Sequence, residues 1–529
     1  MLETIALVLA VPILCLLSLA CVPSRQANKR VDQLRRIVPW ILGTQTILAT
    51  FLVVACAFGS NAPLSVTCFD VSKQHGIGFG IFVDGVSSLM LFMVSLVGFV
   101  VSRFSIRYLD GEAMQGRYFR WLGLTAGAVS LMVVAGNLLM FFAAWVMTSF
   151  GLHQLLVHYR HRPAATQAAW AKFTISRLGD AFLVVALSLT FHSFGTFDLE
   201  VLLDEAKRLS SNSTIDISHT LIGWFIVLGA MTKSAQFPFH AWLPNTMETP
   251  TPVSALMHAG IVNAGGYLIV RTNPLVSLSP QAMLALVIVG AFTACFAGLV
   301  MMTQTSVKRS LAYSTIAQMG FMMLQCGLGA FSMAMLHILA HSFYKAHAFL
   351  SSGSVIAQSN ATRGALDSFS KSKPAFGTLL LAMTTTLLAI AAVSLAFGVD
   401  VIGKQGGLAL AFLLFLALTT WGWRLFASGR AIPRLVAVAG IAVLCVTYLG
   451  SYVAVHHLVF PAIVDGAGPA ASSLIVVEVC FAFLALFWIN IALVQQLRPT
   501  WLEPLRIHAA NGFYVDEIYR RVFGPLVNS

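Results

Sequence analysis

Charge is scarce in this chain: lysine, arginine, aspartate and glutamate together make up 10% of its 529 residues, against 58% hydrophobic residues and 38 phenylalanines. A soluble globule ordinarily carries about a quarter charged residues, so that class is excluded. Cysteine occurs eight times, at positions 15, 21, 56, 68, 295, 326, 445 and 480, but never with CxxC or CxxCH spacing. That absence argues against a disulfide framework, an iron–sulfur cluster and covalently attached haem. There is no glycine-rich phosphate loop, no GxGxxG after a strand and no nucleophile elbow. The chain therefore reads as non-enzymatic, with no cofactor of its own. Its net charge of +12 does not come from a basic stripe interleaved with aromatic residues, so nucleic acid is not an expected partner.

What the chain has in quantity is long apolar runs, and its mean hydropathy is +0.83. Runs of about 18–25 residues each suffice to cross a lipid bilayer. They predict an all-α polytopic membrane protein of about fifteen transmembrane helices, near 2–22, 39–58, 78–101, 121–135, 137–157, 168–192, 218–237, 253–271, 280–302, 308–328, 332–357, 375–398, 406–426, 435–457 and 472–496. The first run has no basic region before it and no small-residue cleavage site after it, which reads as a retained helix. Basic residues follow the odd-numbered runs: Arg25, Lys29, Arg30, Arg35 and Arg36 after the first, Arg103, Arg107, Arg117 and Arg120 after the third, and Arg160, Arg162 and Lys172 after the fifth. The pattern continues with Lys308 and Arg309, with Arg363, Lys371 and Lys373, with Arg430 and Arg434, and with Arg498 and Arg506. The positive-inside rule then places the N-terminus outside and the C-terminus in the cytoplasm. The loop at about 194–217 on the predicted outer side is net acidic, and Arg271, the main exception to the rule, reads as a helix-end residue that snorkels.

Ionisable groups within apolar runs are costly and by default mark an ion or proton route. Lys233 and His258 are two such groups, separated by Pro238, Pro244, Pro250 and Pro252, a block that suits a helix interrupted at a buried polar site. In HILAHSFYKAHAFLSSGS, His337, His341 and Lys345 recur at i, i+4 and so project from one helix face, with His347 on another. An HxxxH pair can bind zinc, but no nearby Cys, Asp or Glu completes a tetrahedral site; a chain of imidazoles and a lysine suited to proton hopping fits better. In KFTISRLGDAF, Arg177 and Asp180 lie at i, i+3 and can pair, either structurally or as part of the route. Asp84, early in its run, reads as a helix cap. Two blocks of five spans, the first with the interrupted segment carrying Lys233 and the second, about 280–426, containing a run that ends in LAFGVDVIGK, show weak internal symmetry, and an odd number of spans per block would give the blocks opposite orientations.

The motifs KSAQFPFHAWLPNTMETPTPVSALMHA, VKRSLAYSTIAQMGFMM, HILAHSFYKAHAFLSSGSVI and SRLGDAF together resemble the antiporter-like subunits of respiratory complex I, in particular subunit L, and the related Mrp cation/proton antiporter subunits. The resemblance covers roughly residues 75–400. It implies two inverted five-helix repeats, each with a broken helix, and a polar axis through the membrane on which Lys233, His258, His337, His341 and Lys345 match family positions. The expected organisation is N-terminal helices over 1–120, a first unit over 121–271, a second over 280–426, C-terminal helices over 435–496 and a partner-contacting cytoplasmic tail over 497–529. Departures are equally informative: Trp145 is followed by Val146 where the family has a glutamate, Asn245 and Ser306 replace aspartates, and Val399 precedes Asp400 where the family has a lysine. The chain also ends without the long lateral helix of subunit L. With its terminal NGFYVDEIYRR, it is similar to the membrane subunits of bacterial two-component inorganic-carbon accumulation complexes. That likeness implies an inner-membrane subunit that passes protons or sodium ions down their gradient, without a catalytic site or zinc of its own. It further implies a soluble, zinc-binding, carbonic-anhydrase-like partner at the cytoplasmic face that hydrates CO2 to bicarbonate.

Overall fold

Helices fill the apolar runs, and their ends are set by local signals. The computed structural model describes residues 2–59, 63–212, 215–354, 376–400, 406–426, 431–464, 473–494, 499–515, 517–518 and 521. In chain order the helices are α1 (Leu2–Ser18), α2 (Ser24–Lys29), α3 (Val31–Phe58), α4 (Gly85–Tyr108), α5 (Gln115–Val133), α6 (Leu138–Leu156), α7 (Pro163–Phe194), α8 (Leu199–Asn212), α9 (Ile217–Lys233), α10 (Thr251–Ala259), α11 (Ala264–Arg271), α12 (Asn273–Ser277), α13 (Pro280–Thr303), α14 (Val307–Gly327) and α15 (Phe331–Leu350). There follow α16 (Phe376–Ala396), α17 (Gly407–Phe426), α18 (Ala431–Val459), α19 (Ser473–Val494) and α20 (Leu502–Ala510). Asp84 starts α4 with a capping box to Ser87, Asn137 caps α6 by accepting from the Met140 amide at 2.7 Å, and Gly195 ends α7 in the left-handed region at φ 68°.

The all-α membrane class is correct. Ten helices among the described residues are long and apolar enough to cross a membrane. Every one of the fifteen expected crossings contains a helix, with α10 and α11 sharing the eighth. On α3 the exposed Trp40, Ile47, Phe51, Val54 and Phe58 form a stripe that only lipid would cover. Helix ends differ from the expected runs by several residues, as α3 does by starting at Val31, and one run differs in kind. The start of the third run, read as membrane-spanning from residue 78, is strand β2 (Ile77–Val83), paired antiparallel with β1 (Leu64–Ser72) in the register Leu64↔Val83 to Ser72↔Ile77. Its alternating Ile77-Gly78-Phe79-Gly80 pattern suits a strand, and Gly136 lets its own backbone approach: the Gly80 carbonyl accepts from the Gly136 amide at 3.0 Å, where a side chain at 136 would meet Gly80.

Connections segregate to two faces. On the hairpin face, which gathers the links after even-numbered crossings, the His75 carbonyl accepts from the Phe197 amide at 3.0 Å and Asn273 Nδ2 donates to the Ala462 carbonyl at 3.1 Å. On the opposite, basic face, Arg117 N donates to Asn28 Oδ1 (2.7 Å), Arg35 pairs with Asp110 (2.9 Å) and Arg162 with Glu248 (3.3 Å). Gln304 Nε2 there donates to the Ala510 carbonyl of α20 at 3.3 Å. This alternation is what fifteen crossings require.

Most buried side chains from α1 to α15 form one core, and Leu379, Trp423, Phe426 and Ile441 anchor a smaller one among α16–α19. Lipid tails are as apolar as leucine, so helices in a bilayer associate through close packing at small residues. Gly179 on α7 sits against the side chain of Thr232 on α9, and Gly265 on α11 against Ala230 and Ser234. Helix α9 is thereby clasped on both sides just where it ends. The expected first helix break is present: α9 stops at Lys233, Ala235 has φ 48°, and a 3-10 turn over Pro244–Glu248 leads into α10. For the second, α16 ends at Ala396 and Gly398 adopts φ 64°, while residues 401–405 of LAFGVDVIGK lie outside the described residues, as do Arg363, Lys371, Lys373, Arg430 and Arg498.

Candidate functional site

Two groups of buried ionisable side chains occupy the interior. The first forms where α6, α7 and α9 meet. Lys233, 5% exposed, ends α9 and donates from Nζ to Ser149 Oγ at 2.8 Å and to the Trp145 carbonyl at 3.3 Å. Its ammonium also lies 4.3 Å from the centre of the Trp145 ring, a favourable cation–π arrangement. Lys172 donates to the Ser149 carbonyl at 2.9 Å, so two lysines converge on one serine. Trp145 Nε1 in turn donates to Asp180 Oδ1 at 3.1 Å, and Arg177 pairs with Asp180 Oδ2 at 2.7 Å. Val146, next to Trp145 on α6, is apolar, and Lys233 forms no ion pair among the described residues. The nearby carboxylate, Asp180, is linked to it through the intervening indole.

The second group lies between α10, α14 and α15. His258 and Lys345 are fully buried. His258 Nδ1 is 3.0 Å from Thr315 Oγ1, and Lys345 Nζ donates to the Leu311 carbonyl, also at 3.0 Å. The His258 ring stacks on Phe349 with centroids 4.3 Å apart, and the His337 and His341 rings stack at 5.9 Å. His347 is exposed on another side of α15, as its spacing predicts. His258 Nε2, His337 Nε2 and His341 Nε2 are buried with no protein partner. Buried polar atoms are ordinarily satisfied, and in a protein interior water is the usual means.

The groups are joined at the second interruption, the 3-10 turn Ile261–Asn263 between α10 and α11. Ser234, next to Lys233, donates to the Val262 carbonyl at 2.7 Å, and Asn263 Nδ2 donates to Ser342 Oγ at 2.8 Å, beside His341. Polar contacts thus lead from Lys172 and Lys233 to Ser342, and the α15 row of His341 and Lys345 continues from its neighbouring position one turn at a time.

The residues expected on the axis fall into these two groups, Lys233, Arg177 and Asp180 in the first and His258, His337, His341 and Lys345 in the second, and Lys172 joins the first. Lys172 was expected in a basic connection, but it sits in the third turn of α7 and is 2% exposed. Its signal was available: Lys172, Ser176 and Asp180 recur at i, i+4 and share a helix face. Arg271 does not snorkel. It is 3% exposed and grips Asp84 with two 2.7 Å bonds, so Asp84 is at once a cap and half of a buried ion pair. Nothing in periodicity announces a pair 187 residues apart. Val399 is half-buried against the core, and Asn245 donates to its own segment, to the Ala241 carbonyl at 2.9 Å.

Buried lysines and histidines in series across a broken-helix bundle define an ion-translocating membrane subunit. The chain belongs to the family described as NADH:quinone oxidoreductase/Mrp antiporter, transmembrane, which matches residues 135–426, and residues 71–119 match the N-terminal part of complex I chain 5. Within that family it is 35% identical to a probable inorganic carbon transporter subunit, DabB2, of Halothiobacillus neapolitanus, over 98% of this chain and 93% of that protein. It is 42% identical to the probable inorganic carbon transporter subunit DabB of Hydrogenovibrio crunogenus over 53% of this chain and 54% of that protein. The NADH-quinone oxidoreductase subunit L of Mycobacterium tuberculosis is 40% identical over 53% of this chain and 44% of that one. The solved Mrp complex from Dietzia sp. has the same fold, with a TM-score of 0.66 at 23% identity, covering 98% of this chain and 60% of that one.

Proposed function

We propose that this chain is the cation-conducting, most simply proton-conducting, membrane subunit of a two-component inorganic-carbon accumulation complex. The polar contacts leading from Lys172 and Lys233 toward the group of His258, His341 and Lys345 carry the conducting half of this reading. Buried imidazoles and lysines, linked by serines and an asparagine, form a relay that a bare apolar bundle would lack. Lys233, His258, His337, His341 and Lys345 carry the ion, and Arg177 and Asp180 set the charge around Lys233. The carbon-accumulating half is supported by the relative that matches from end to end, a probable inorganic carbon transporter subunit. The complex I subunit matches over only half of the chain.

In this reading gradient energy passes to a soluble, zinc-binding, carbonic-anhydrase-like partner docked on the basic face, which includes α20. The basic face is cytoplasmic, in a bacterial inner membrane, and the hairpin face is external. Zinc belongs to the partner. Replacing Lys233 or Lys345 by alanine should abolish gradient-dependent inorganic-carbon uptake while the complex still assembles. Uptake unchanged in both variants would instead make the chain a membrane anchor, and co-purification with NADH dehydrogenase subunits would move it to complex I.

A further inference from the structure

Val399, half-buried against the core after α16, is apolar, so any titratable link between the α15 row and the hairpin face lies on the other helices packed against α15. Lys345, His341 and His337 lie one helical turn apart, and the next position in the same row toward that face is Met333. Met333 Sδ accepts from the Tyr448 hydroxyl of α18 at 3.5 Å. One residue further, Ser332 Oγ and His456 Nδ1 of α18 are 2.9 Å apart. Tyr448, Tyr452 and His456 recur at i, i+4 and i+8, so α18 turns one polar-tipped face toward the start of α15. The Tyr452 and His456 rings stack at 5.5 Å, and Phe460 closes on His456 from beyond at 5.0 Å. His456 is half-buried, and its neighbour His457 is exposed. Helix α18 then runs into the segment containing Ala462, which is bonded to Asn273 on the hairpin face.

We infer that the ion path leaves the second unit through His456, which exchanges protons between the α15 row and the hairpin face, with Ser332 orienting its ring. This rests on the conducting reading above. The residue lies beyond the family match, which ends at 426, and an imidazole can take up and release a proton where a valine cannot. On the α16–α17 side, the buried Thr386, Ser394 and Thr419 hydroxyls are not titratable, and the carboxylate, Asp400, is exposed beyond the end of α16 rather than buried beside the row.

The test uses the purified complex in vesicles loaded with a pH-sensitive dye, under an imposed proton gradient. His456→Gln, which removes the titratable imidazole but keeps a polar side chain, should lower proton flux about tenfold or more, and His457→Gln should leave it unchanged. In His456→Ala, imidazole added on the hairpin side should restore flux, and imidazole on the basic side should not. If His456→Gln conducts like the unaltered complex while Lys345→Ala does not, the path leaves elsewhere and this inference falls, with the conducting reading intact. A loss in His456→Gln that sided imidazole fails to rescue in His456→Ala also overturns it, since the histidine is then only structural. If Lys345→Ala conducts normally too, the conducting reading itself fails.

Discussion

At the scale of single residues, the interior is governed by how each buried charge is compensated. Asp84 and Arg271 compensate each other with two short bonds, and the Asp84 carboxylate also accepts from the Ser87 amide at 2.8 Å. Deleting one member leaves the other charged and buried. Asp84→Ala and Arg271→Ala should therefore each cost roughly 3–5 kcal/mol, read as a lowered Tm of the detergent-solubilised protein, and the double variant should lose clearly less than their sum. Additive losses would show that the two side chains do not depend on each other. The relay residues on α15 were legible from spacing alone, because i, i+4 recurrence is a local property. Arg271 was not, because its partner is distant in sequence, and Lys172 was misplaced because a charge near a run boundary was assigned to the connection.

At the scale of elements, glycine decides how closely the helices that bear the lysines approach. A side chain at Gly179 would be driven into Thr232, so Gly179→Val should push α7 from α9 and destabilise the protein by about 1–3 kcal/mol. Gly353→Val faces open space and should leave Tm unchanged; equal effects of the two would remove the packing argument. The hairpin face offers a pH-dependent element in α8. Burial, with Asp198 and Asp204 beside it, raises the Glu200 carboxyl above the ordinary glutamate range. A carboxyl whose pKa is higher folded than unfolded supports the fold at pH below the ordinary glutamate value and loses that contribution as pH rises through the raised value. Glu200→Gln should thus be more stable than the unaltered protein at neutral pH and show a flatter Tm–pH curve in the weakly acidic range. A steeper curve would contradict the assignment. The β-hairpin was missed at this scale because Ile77–Val83 is as apolar as the helix after it, and hydrophobicity alone does not separate a strand from the start of a span.

For the whole molecule, the alternation of connections between two faces turns the positive-inside reading into a single two-way choice. A variant retaining only the exposed Cys68 of β1 should react with a membrane-impermeant maleimide added to intact spheroplasts. One bearing only Glu503→Cys, on α20, should react only after permeabilisation. The reverse pattern would invert the orientation. The span Thr251–Arg271 is enclosed by protein along its whole length, and it brings His258, Asn263 and Arg271 into the interior with it. The segment is apolar enough to enter a bilayer, but its buried polar groups find their partners only once the neighbouring helices surround it. Helix α4, with Asp84 at its tip, is made 187 residues before Arg271 and must wait unpaired until that arginine emerges. The Asp84–Arg271 pair can therefore close only after the first eight crossings have been made, which ties the start of α4 to the end of α11 late in the assembly of the first half.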